Sequence, residues 1–449
     1  MSTQDYEEYE RDEQMLEARR LKRLEMKRKR KIQQRIILAI LAVVLILVIV
    51  LIAKGCSGEP EEEVQTPEQP VTPVEPEPEI KNLDVTATLA AVGDIMMYDS
   101  QLADARVDET TYDFAPSFDA ISAYTVSADL TVGNLELNFC GYAPYGGNPK
   151  AQPYFNCPES LATTLSDIGF DVLQTANTYS IMNGITGLQS TINYLNQAGI
   201  DHVGTHATDP AQSGSGGVVL REVNGITFAF IGFTKGVNGM SLPANNPYAV
   251  DLLYTDYNSE YKQVDTTSIL ERVDAAKSTN ADVIIAMLHW GSEYDVNVSD
   301  TQTEIRDLLF KNGVDVILGS HSHVVGPMEM VEVETTDGEK KQCFVAYSLG
   351  NFISNMTSQY TQESVILNLE FTKDGDTGET TISGASYTPL YILDRGEGTD
   401  DTRYEVLPIR KAIESSIFQN YEAAMNAAIA NINSHAMASE DGVSYDSGK

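Results

Sequence analysis

Basic residues are scarce in this chain of 449 residues, which has 30 lysines and arginines against 65 aspartates and glutamates. A formal net charge of −35 argues against binding of nucleic acid or of an anionic membrane surface through the bulk of the chain. Histidine is also scarce, with six residues, and no short-period repeat is visible. A hydrophobic content of 42% is enough for one large folded domain with appendages, or for two or three domains.

Many of the bases lie near the N-terminus, in residues 1–35, which contain 11 lysines and arginines and 8 acids. The next segment, 36–53, reads IILAILAVVLILVIVLIA and has no charge, proline or glycine. As a helix it is roughly 27 Å long, about the thickness of a hydrocarbon core. The bases on its N-terminal side predict a single-pass transmembrane helix with a cytoplasmic N-terminus and an extracellular C-terminal part. An uncleaved anchor is favoured over a cleaved signal peptide, since the basic segment is long and the apolar run exceeds a usual signal sequence.

Composition divides the remaining chain into three parts. Residues 54–82 are rich in proline and glutamate and predict an extended stalk. Residues 83–410 alternate β-rich and helical segments, which predicts an α/β fold with a substantial mixed or antiparallel component. Residues 411–449 are expected to form a C-terminal helix followed by a disordered tail.

Polar residues with metal-binding capacity recur where apolar, strand-like segments end. They are Asp94, Asn134, Glu136, Asn177, His289, His321, His323 and Asn351. Ligands of open α/β sheets bind at the carboxyl ends of the strands, so these residues are expected to lie together. Singly, Asp94 could instead cap a helix and His289 could be an ordinary core histidine. As a set, imidazole, carboxylate and amide ligands suit Mn²⁺, Fe or Zn²⁺, commonly as a pair of ions.

The pair His321 and His323 gives the most specific metal-binding pattern. Both residues directly follow the apolar run VILGS. On an extended segment, side chains two residues apart project to the same side. The sequence therefore predicts that both imidazoles contact one metal site from an extended strand end.

Seven segments occur in this order: AVGDIM, VGNLE, FDVLQTAN, LNQAGIDHVGT, LHWGSEY, GSHSHVVGPME and YSLGNFI. The pieces HWGSEY, SHSHVVGPME and YSLGNF are specific in this order and spacing. Together the seven segments resemble the CapA family, associated with bacterial capsule and poly-gamma-glutamate synthesis, over roughly residues 86–393. The resemblance implies a metallophosphoesterase-like α/β sandwich of mixed sheets flanked by helices. It also implies one or two divalent metals that activate a water and hold a phosphate-like oxyanion. The implied metal residues are Asp94, Glu136, His289, His321 and His323, with Asn134 close by. Glu293 matches a family acid whose place relative to the metals stays open.

One segment departs from the family pattern. The family commonly has Ala-Asn-Asn-His with an aspartate three residues later, whereas this chain has ANTYSIMNG. Thr178 and Tyr179 stand in place of the second asparagine and the histidine, which in metallophosphoesterases supply a metal ligand and a general acid. Tyr179 and His206 are the candidates for the catalytic role, and Asn177 is a candidate metal ligand. A phenol with an ordinary pKa near 10 is a poorer acid than imidazole around neutrality.

The predicted anchor and the resemblance together imply a membrane-anchored extracellular protein that acts in the synthesis, export or anchoring of an anionic capsule-type polymer. Its expected partners are the membrane, through one helix, and the polymer or its synthesis and export machinery. The implied chemistry is metal-dependent hydrolysis or transfer at a phosphoester or amide bond. Two alternatives stay open: a non-catalytic surface scaffold with a degenerate metal site, and an extracellular phosphodiesterase unrelated to capsule.

The chain's four cysteines allow one internal disulfide to be considered. Cys140 and Cys157 flank a Gly/Pro-rich loop, and an exported protein meets oxidising conditions, so the two could form a bridge across it. Cys343 opens a predicted strand and is expected to be buried and free.

Overall fold

A computed structural model of the protein describes residues 82–399, 401–437 and 443–445. The predicted transmembrane segment 36–53 and nearly all of the predicted stalk lie outside these residues. Within the described part of the chain, no helix is both long and apolar enough to cross a membrane. The described residues from Leu83 onward belong to one compact unit.

Strands and helices alternate along the first two thirds of this unit, and strands predominate after that. The strands are β1 (Val85–Ile95), β2 (Leu130–Leu135), β3 (Val172–Gln174), β4 (Asp201–Val203), β5 (Val219–Val223), β6 (Ile226–Thr234), β7 (Val283–His289), β8 (Val316–Ser320), β9 (Met328–Glu334), β10 (Lys340–Ala346), β11 (Asn351–Ile353), β12 (Glu363–Lys373), β13 (Thr380–Asp394), β14 (Tyr404–Pro408) and β15 (Val443–Tyr445). The α-helices are α1 (Asp99–Asp104), α2 (Ser122–Ser127), α3 (Ser160–Asp167), α4 (Gly184–Ala198), α5 (Thr266–Lys277), α6 (Asp300–Lys311), α7 (Ile409–Glu414) and α8 (Glu422–Ala436).

The strands form two mixed sheets. The first has the order β14-β13-β12-β1-β2-β3-β4, with β11 beside β1 and β15 beside β13, and the second has the order β5-β6-β7-β8-β10-β9. Strands β1 to β4 run parallel to one another, and so do β6, β7, β8 and β10. Leu89 and Val132 of the first sheet share one apolar core with Phe230 and Ile285 of the second. The prediction of a mixed α/β fold is confirmed.

Helices cover the outer face of each sheet because the central strands are apolar on both faces. In β1, Leu89 and Ala91 belong to the core between the sheets, whereas Ala90 and Val92 belong to a second cluster on the other face. Helix α3 adds Leu161 to that second cluster. Helices α5 and α6 cover the outer face of the second sheet in the same way. The result is a two-sheet sandwich between helical layers.

Local sequence signals set several boundaries. The hairpin between β5 and β6 turns at Asn224 and Gly225, both with positive φ, as the Asn-Gly pair predicts. Helix α6 begins at Asp300, because Ser299 and Gln302 form a capping box at its N-terminus.

The C-terminal helix α8 packs Met425 and Ile432 into the core that lies between the sheets. Val443–Tyr445 pair with β13 as a short parallel strand, although the sequence placed them in a disordered tail. The other residues of that predicted tail, 438–442 and 446–449, lie outside the described chain.

The cysteines that the structure describes, Cys140, Cys157 and Cys343, are buried free thiols, so the disulfide considered for the first two is not formed. The Cys140 thiol lies against Gly187 of α4, whereas Cys157 packs in the apolar cluster with Phe155. Burial raises the pKa of Cys140 to about 11 and helps to keep that thiol protonated.

Candidate metal centre

The carboxyl ends of the parallel strands of both sheets meet at one site. Strand pairing places Asp94 opposite Asn134 and Asn351 in the first sheet, and His289 opposite Ser320 in the second. Across the two sheets, the Asp94 Oδ2 atom lies 3.1 Å from the Nδ1 atom of His323. Residues more than two hundred positions apart in sequence therefore share one site because the sandwich brings the strand ends together.

Five buried side chains form two groups that could each hold a cation. One group is Asp94, Glu136 and His289, and the other is Glu136, His321 and His323. Within each group, one ligand atom from every residue lies within 4.8 Å of the others. Because Glu136 belongs to both groups, the five residues could hold one or two cations, with Glu136 among the ligands in either case.

The hydrogen bonding of this cluster supports its fit to a metal. Both carboxylate oxygens of Glu136 and the Nδ1 atom of His321 are buried and lack a hydrogen-bond partner. The nearest ionic contact of Glu136 is His289, with 3.4 Å between Oε1 and Nε2. Burying such groups without partners is costly, and a divalent cation bound to this cluster would supply the missing partner.

The histidines of the cluster differ in their electrostatics. Burial lowers the pKa of His289 and of His321 well below the ordinary value, which favours the neutral imidazole that binds metals. Burial also lowers the pKa of His323, but the hydrogen bond to Asp94 and the charge of Glu136 outweigh it and raise this pKa to about 9. Burial raises the pKa of Glu136, and the charge of Asp94 raises it further.

Neighbouring polar groups orient two of the imidazoles. The Nδ1 atom of His289 lies 3.1 Å from the Ser320 hydroxyl, and the Nδ1 atom of His323 lies 3.0 Å from the amide oxygen of Asn351. The Asn351 amide is itself held, because its Nδ2 donates to the carbonyl of Thr361 at 3.0 Å. Such contacts fix the ring orientation. They leave Nε2 of His323 for a metal, whereas Nε2 of His289 also contacts the Thr178 hydroxyl at 2.9 Å.

His321 and His323 lie beyond the end of β8 at Ser320, so the prediction of an extended H-x-H segment is wrong. Their φ angles are +91° and +60°, in the left-handed region that non-glycine residues rarely adopt. The two imidazoles reach the same site because the chain turns sharply at each of them. Strained backbone of this kind occurs preferentially at functional sites.

Glycines beside the cluster allow a very close backbone approach. A Cβ atom at Gly93 would lie 1.8 Å from the carbonyl oxygen of Gly350, and one at Gly319 would lie 2.0 Å from that of Tyr347. Both distances are far inside van der Waals contact. The glycines of AVGD and LGSHSH are therefore required where they stand.

The two asparagines predicted as ligands occupy different positions. The Nδ2 atom of Asn134 lies 2.6 Å from Oδ1 of Asp94 and 3.3 Å from Nδ1 of His289, so this amide is inside the cluster. A rotation of the amide by 180° would present its oxygen to a cation there, at the cost of the hydrogen bond that this oxygen now accepts from Asn177. Asn177 lies one step further out: its Nδ2 donates to Asn134 and to the Leu135 carbonyl, and its oxygen accepts from the backbone of Tyr179.

The segment ANTYSIMNG, which departs from the family pattern, contacts the cluster through Thr178. The Thr178 hydroxyl lies 2.9 Å from Nε2 of His289. Tyr179 packs its ring against Phe155, and burial together with the charge of Glu136 raises its pKa, which makes it a still poorer acid. His206 instead contacts Asp251 at 2.9 Å, and Arg272 binds the same carboxylate. It belongs to neither metal-capable group, and the catalytic roles of Tyr179 and His206 stay predictions.

Sequence reasoning missed two residues near the cluster, Lys235 and Ser320, and it named Thr178 only as a departure from the family pattern. Ser320 is the last residue of β8 and Lys235 directly follows β6, so the rule of polar residues at strand ends could have found both. No sequence signal identifies the contact of Thr178 with His289, because it depends on how two different sheets pack.

Comparison with known proteins links this geometry to named relatives. The chain is 25% identical over 304 residues to the PGA biosynthesis protein CapA of Bacillus subtilis (strain 168), covering 66% of this chain and 71% of that protein. It is 26% identical over 294 residues to the capsule biosynthesis protein CapA of Bacillus anthracis, covering 64% of each. Among solved structures, a novel phosphatase from Mycoplasma pneumoniae has a TM-score of 0.37 and 12% identity, covering 68% of this chain and 94% of that one. A structural likeness at that TM-score carries no argument about function.

The family described as bacterial capsule synthesis protein PGA_cap has a sequence model that matches residues 88–356. The matched segment contains the whole cluster, from Asp94 to His323. The resemblance drawn from the sequence motifs is confirmed. Since the match extends over more than half of the chain, the protein belongs to the PGA_cap family of bacterial capsule synthesis proteins.

Proposed function

We propose that the protein is a membrane-anchored extracellular component of capsule polymer synthesis, export or anchoring, with a site for one or two divalent metal ions that cleaves or transfers a phosphoester or amide bond. The observation that carries the proposal is the pair of buried ligand groups that share Glu136 where both sheets end. Buried, unpaired ligand atoms at that position have a functional explanation and no evident structural one.

The residues of the cluster have distinct roles in this proposal. Asp94, Glu136, His289, His321 and His323 hold the metal, which when bound would lower the pKa of a water and polarise a phosphoryl or carbonyl oxygen. Ser320 and Asn351 orient two of the imidazoles. Asn134 contributes its amide oxygen after rotation. The metal would be Mn²⁺, Fe or Zn²⁺, because the available ligands combine imidazole nitrogens with carboxylate oxygens.

The cellular setting rests on other features of the chain. The apolar run 36–53 and its basic flank support a membrane anchor with the folded part outside the cell. The matched relatives are named for PGA and capsule biosynthesis, which supports an anionic polymer or its machinery as partner. Since a net charge of −35 repels a polyanion, we expect metal ions or a basic partner to mediate the contact.

Metal content and turnover of the purified full chain test this function. We expect at least one tightly bound divalent ion per chain, and hydrolysis of a generic phosphodiester in the presence of Mn²⁺. Glu136→Gln should lose most of both, because it weakens both ligand groups. Glu370→Gln, an exposed glutamate on β12, is the control that should change neither. A wild-type chain without bound metal would contradict the proposal.

The second candidate function is a non-catalytic surface scaffold with a degenerate metal site. The departure of ANTYSIMNG from the family pattern favours it. Thr178 and Tyr179 stand where the family pattern has a metal ligand and an acid, and burial makes Tyr179 a weak proton donor. Bound metal without any turnover would support the scaffold over the enzyme.

A further inference from the structure

A groove of about 490 Å³ opens directly beside the metal centre. Its lining includes Thr178, Lys235, Asn238, Tyr261, Glu293 and His321. His321 in this lining is a proposed metal ligand, and Thr178 contacts another, His289. The groove therefore leads to the proposed reaction centre. The loops that follow β6 and β7 supply most of the remaining lining.

Lys235 is the cationic side chain of this groove. It is half-buried, and its Nζ atom donates to the Gly291 carbonyl at 2.5 Å and lies 4.7 Å from the centre of the Tyr261 ring. Within the described chain, no carboxylate lies within 4.0 Å of this ammonium. Burial lowers the pKa of Lys235, and the charge of Glu293 opposes that shift. The ammonium keeps two further protons to donate to an acceptor in the groove.

Comparable lysines elsewhere in the structure are paired. Lys341 contacts Asp315 at 2.7 Å, and Lys373 contacts Asp282 at 2.7 Å, and both lysines are also partly buried. A partly buried ammonium without such a partner is unfavourable for stability alone. Its position beside the metal ligands therefore points to an anionic ligand that supplies the missing acceptor.

We propose that Lys235 binds one oxyanion of the substrate, a carboxylate or a phosphate, in this groove next to the bond that reacts. The proposal rests on the proposed function, since it assigns a subsite of the same centre. Glu293 on the lining repels further negative charge, so the subsite suits a single anionic group rather than a dense cluster. In a chain of net charge −35, Lys235 gives an acidic ligand a local point of attraction.

Anion binding by the full chain tests this subsite without requiring catalysis. The probes are inorganic phosphate and a short glutamate oligomer, titrated calorimetrically with chelator and again with Mn²⁺. Lys235→Gln should weaken binding of at least one probe about tenfold, since it removes a charge-assisted hydrogen bond. Lys235→Arg should bind within about threefold of the wild type. Lys340→Gln, which removes an exposed lysine from β10, should leave binding unchanged.

The probe that loses affinity identifies the chemistry of the ligand. The inference is overturned if the wild type binds neither probe under either condition, or if Lys235→Gln binds both as tightly as the wild type. Metal content is measured on the same samples. A wild type that lacks metal but binds a probe through Lys235 contradicts the proposed function alone, whereas intact metal binding without any effect of Lys235 contradicts the subsite alone.

Discussion

Glu136 has a fully buried carboxylate with no hydrogen-bond donor, next to the buried carboxylate of Asp94. Without a cation, such a group destabilises a fold by a few kcal/mol. The same group is the ligand that both halves of the metal centre share. A side chain that is unfavourable in the metal-free protein is therefore one that a bound metal would stabilise.

Removing the metal should lower the melting temperature, because a bound metal stabilises the folded protein. At free metal about 100-fold above Kd, binding adds about 2.7 kcal/mol to stability, so a chelator should lower the Tm of the wild type by several degrees. Glu136→Gln should shift by less than a third as much, because it binds metal weakly. Differential scanning calorimetry with and without chelator measures both shifts. Equal shifts in the two proteins would exclude Glu136 as a shared ligand.

The strands of the centre were predictable, but the turns that complete it were not. Apolar runs identified β1, β7 and β8. The rule that ligands bind at the carboxyl ends of the strands then placed Asp94 and His289 at a common edge of the fold. The positive φ angles of His321 and His323 escaped prediction because residue type only weakly favours left-handed backbone. The contact of Thr178 with His289 escaped it because sequence patterns do not fix how two sheets pack.

The turn after β8 depends on the close packing of this strand against the chain that follows β10. A Cβ atom at position 319 would lie 2.0 Å from the Tyr347 carbonyl oxygen and 2.7 Å from Nε1 of Trp290. Gly319→Ala should therefore lower the free energy of unfolding by about 2–3 kcal/mol. It should also weaken metal binding about tenfold or more, because both histidines directly follow the displaced strand. Urea unfolding and metal titration measure the two effects.

Gly214→Ala is the matched control, since a Cβ there meets no atom within 4 Å and its φ is not in the left-handed region. Its stability should stay within about 0.5 kcal/mol of the wild type. A Gly319→Ala protein as stable as this control would show that β8 can move away from its neighbour at little cost.

At the scale of the whole fold, the C-terminal helix α8 packs into the same apolar core as the strands whose ends form the site. Glu363 of β12 accepts a hydrogen bond from Nδ2 of Asn431 in α8 at 2.7 Å, while its other oxygen is buried without a partner. Burial raises the pKa of Glu363 to about 7, and the bond from Asn431 only partly offsets this. Tyr391 lies opposite on β13, and His435 of α8 contacts Tyr360 nearby.

This raised pKa predicts how the stability of the whole fold changes with pH. The folded state holds the proton more tightly than the unfolded state, whose carboxyl has a pKa near 4.5. The contribution of Glu363 is therefore fully present below pH 4.5 and is lost as pH rises to about 7. Glu363→Gln keeps the acceptor for Asn431 without the charge. It should gain about 1–2 kcal/mol relative to the wild type between pH 5 and pH 8, after allowance for partial exposure.

Urea unfolding of both proteins across that pH range measures the difference in their free energies of unfolding. The titration of His435 and of the metal centre occurs in both proteins and therefore cancels in this difference. Glu370→Gln, on an exposed position of the same strand, should show no such pH-dependent gain. A gain for Glu363→Gln that is constant with pH would mean that the carboxyl is already ionised in the fold at pH 5. In that case the contact between α8 and β12 would be a charged one, and lowering the pH should loosen the helix instead of securing it.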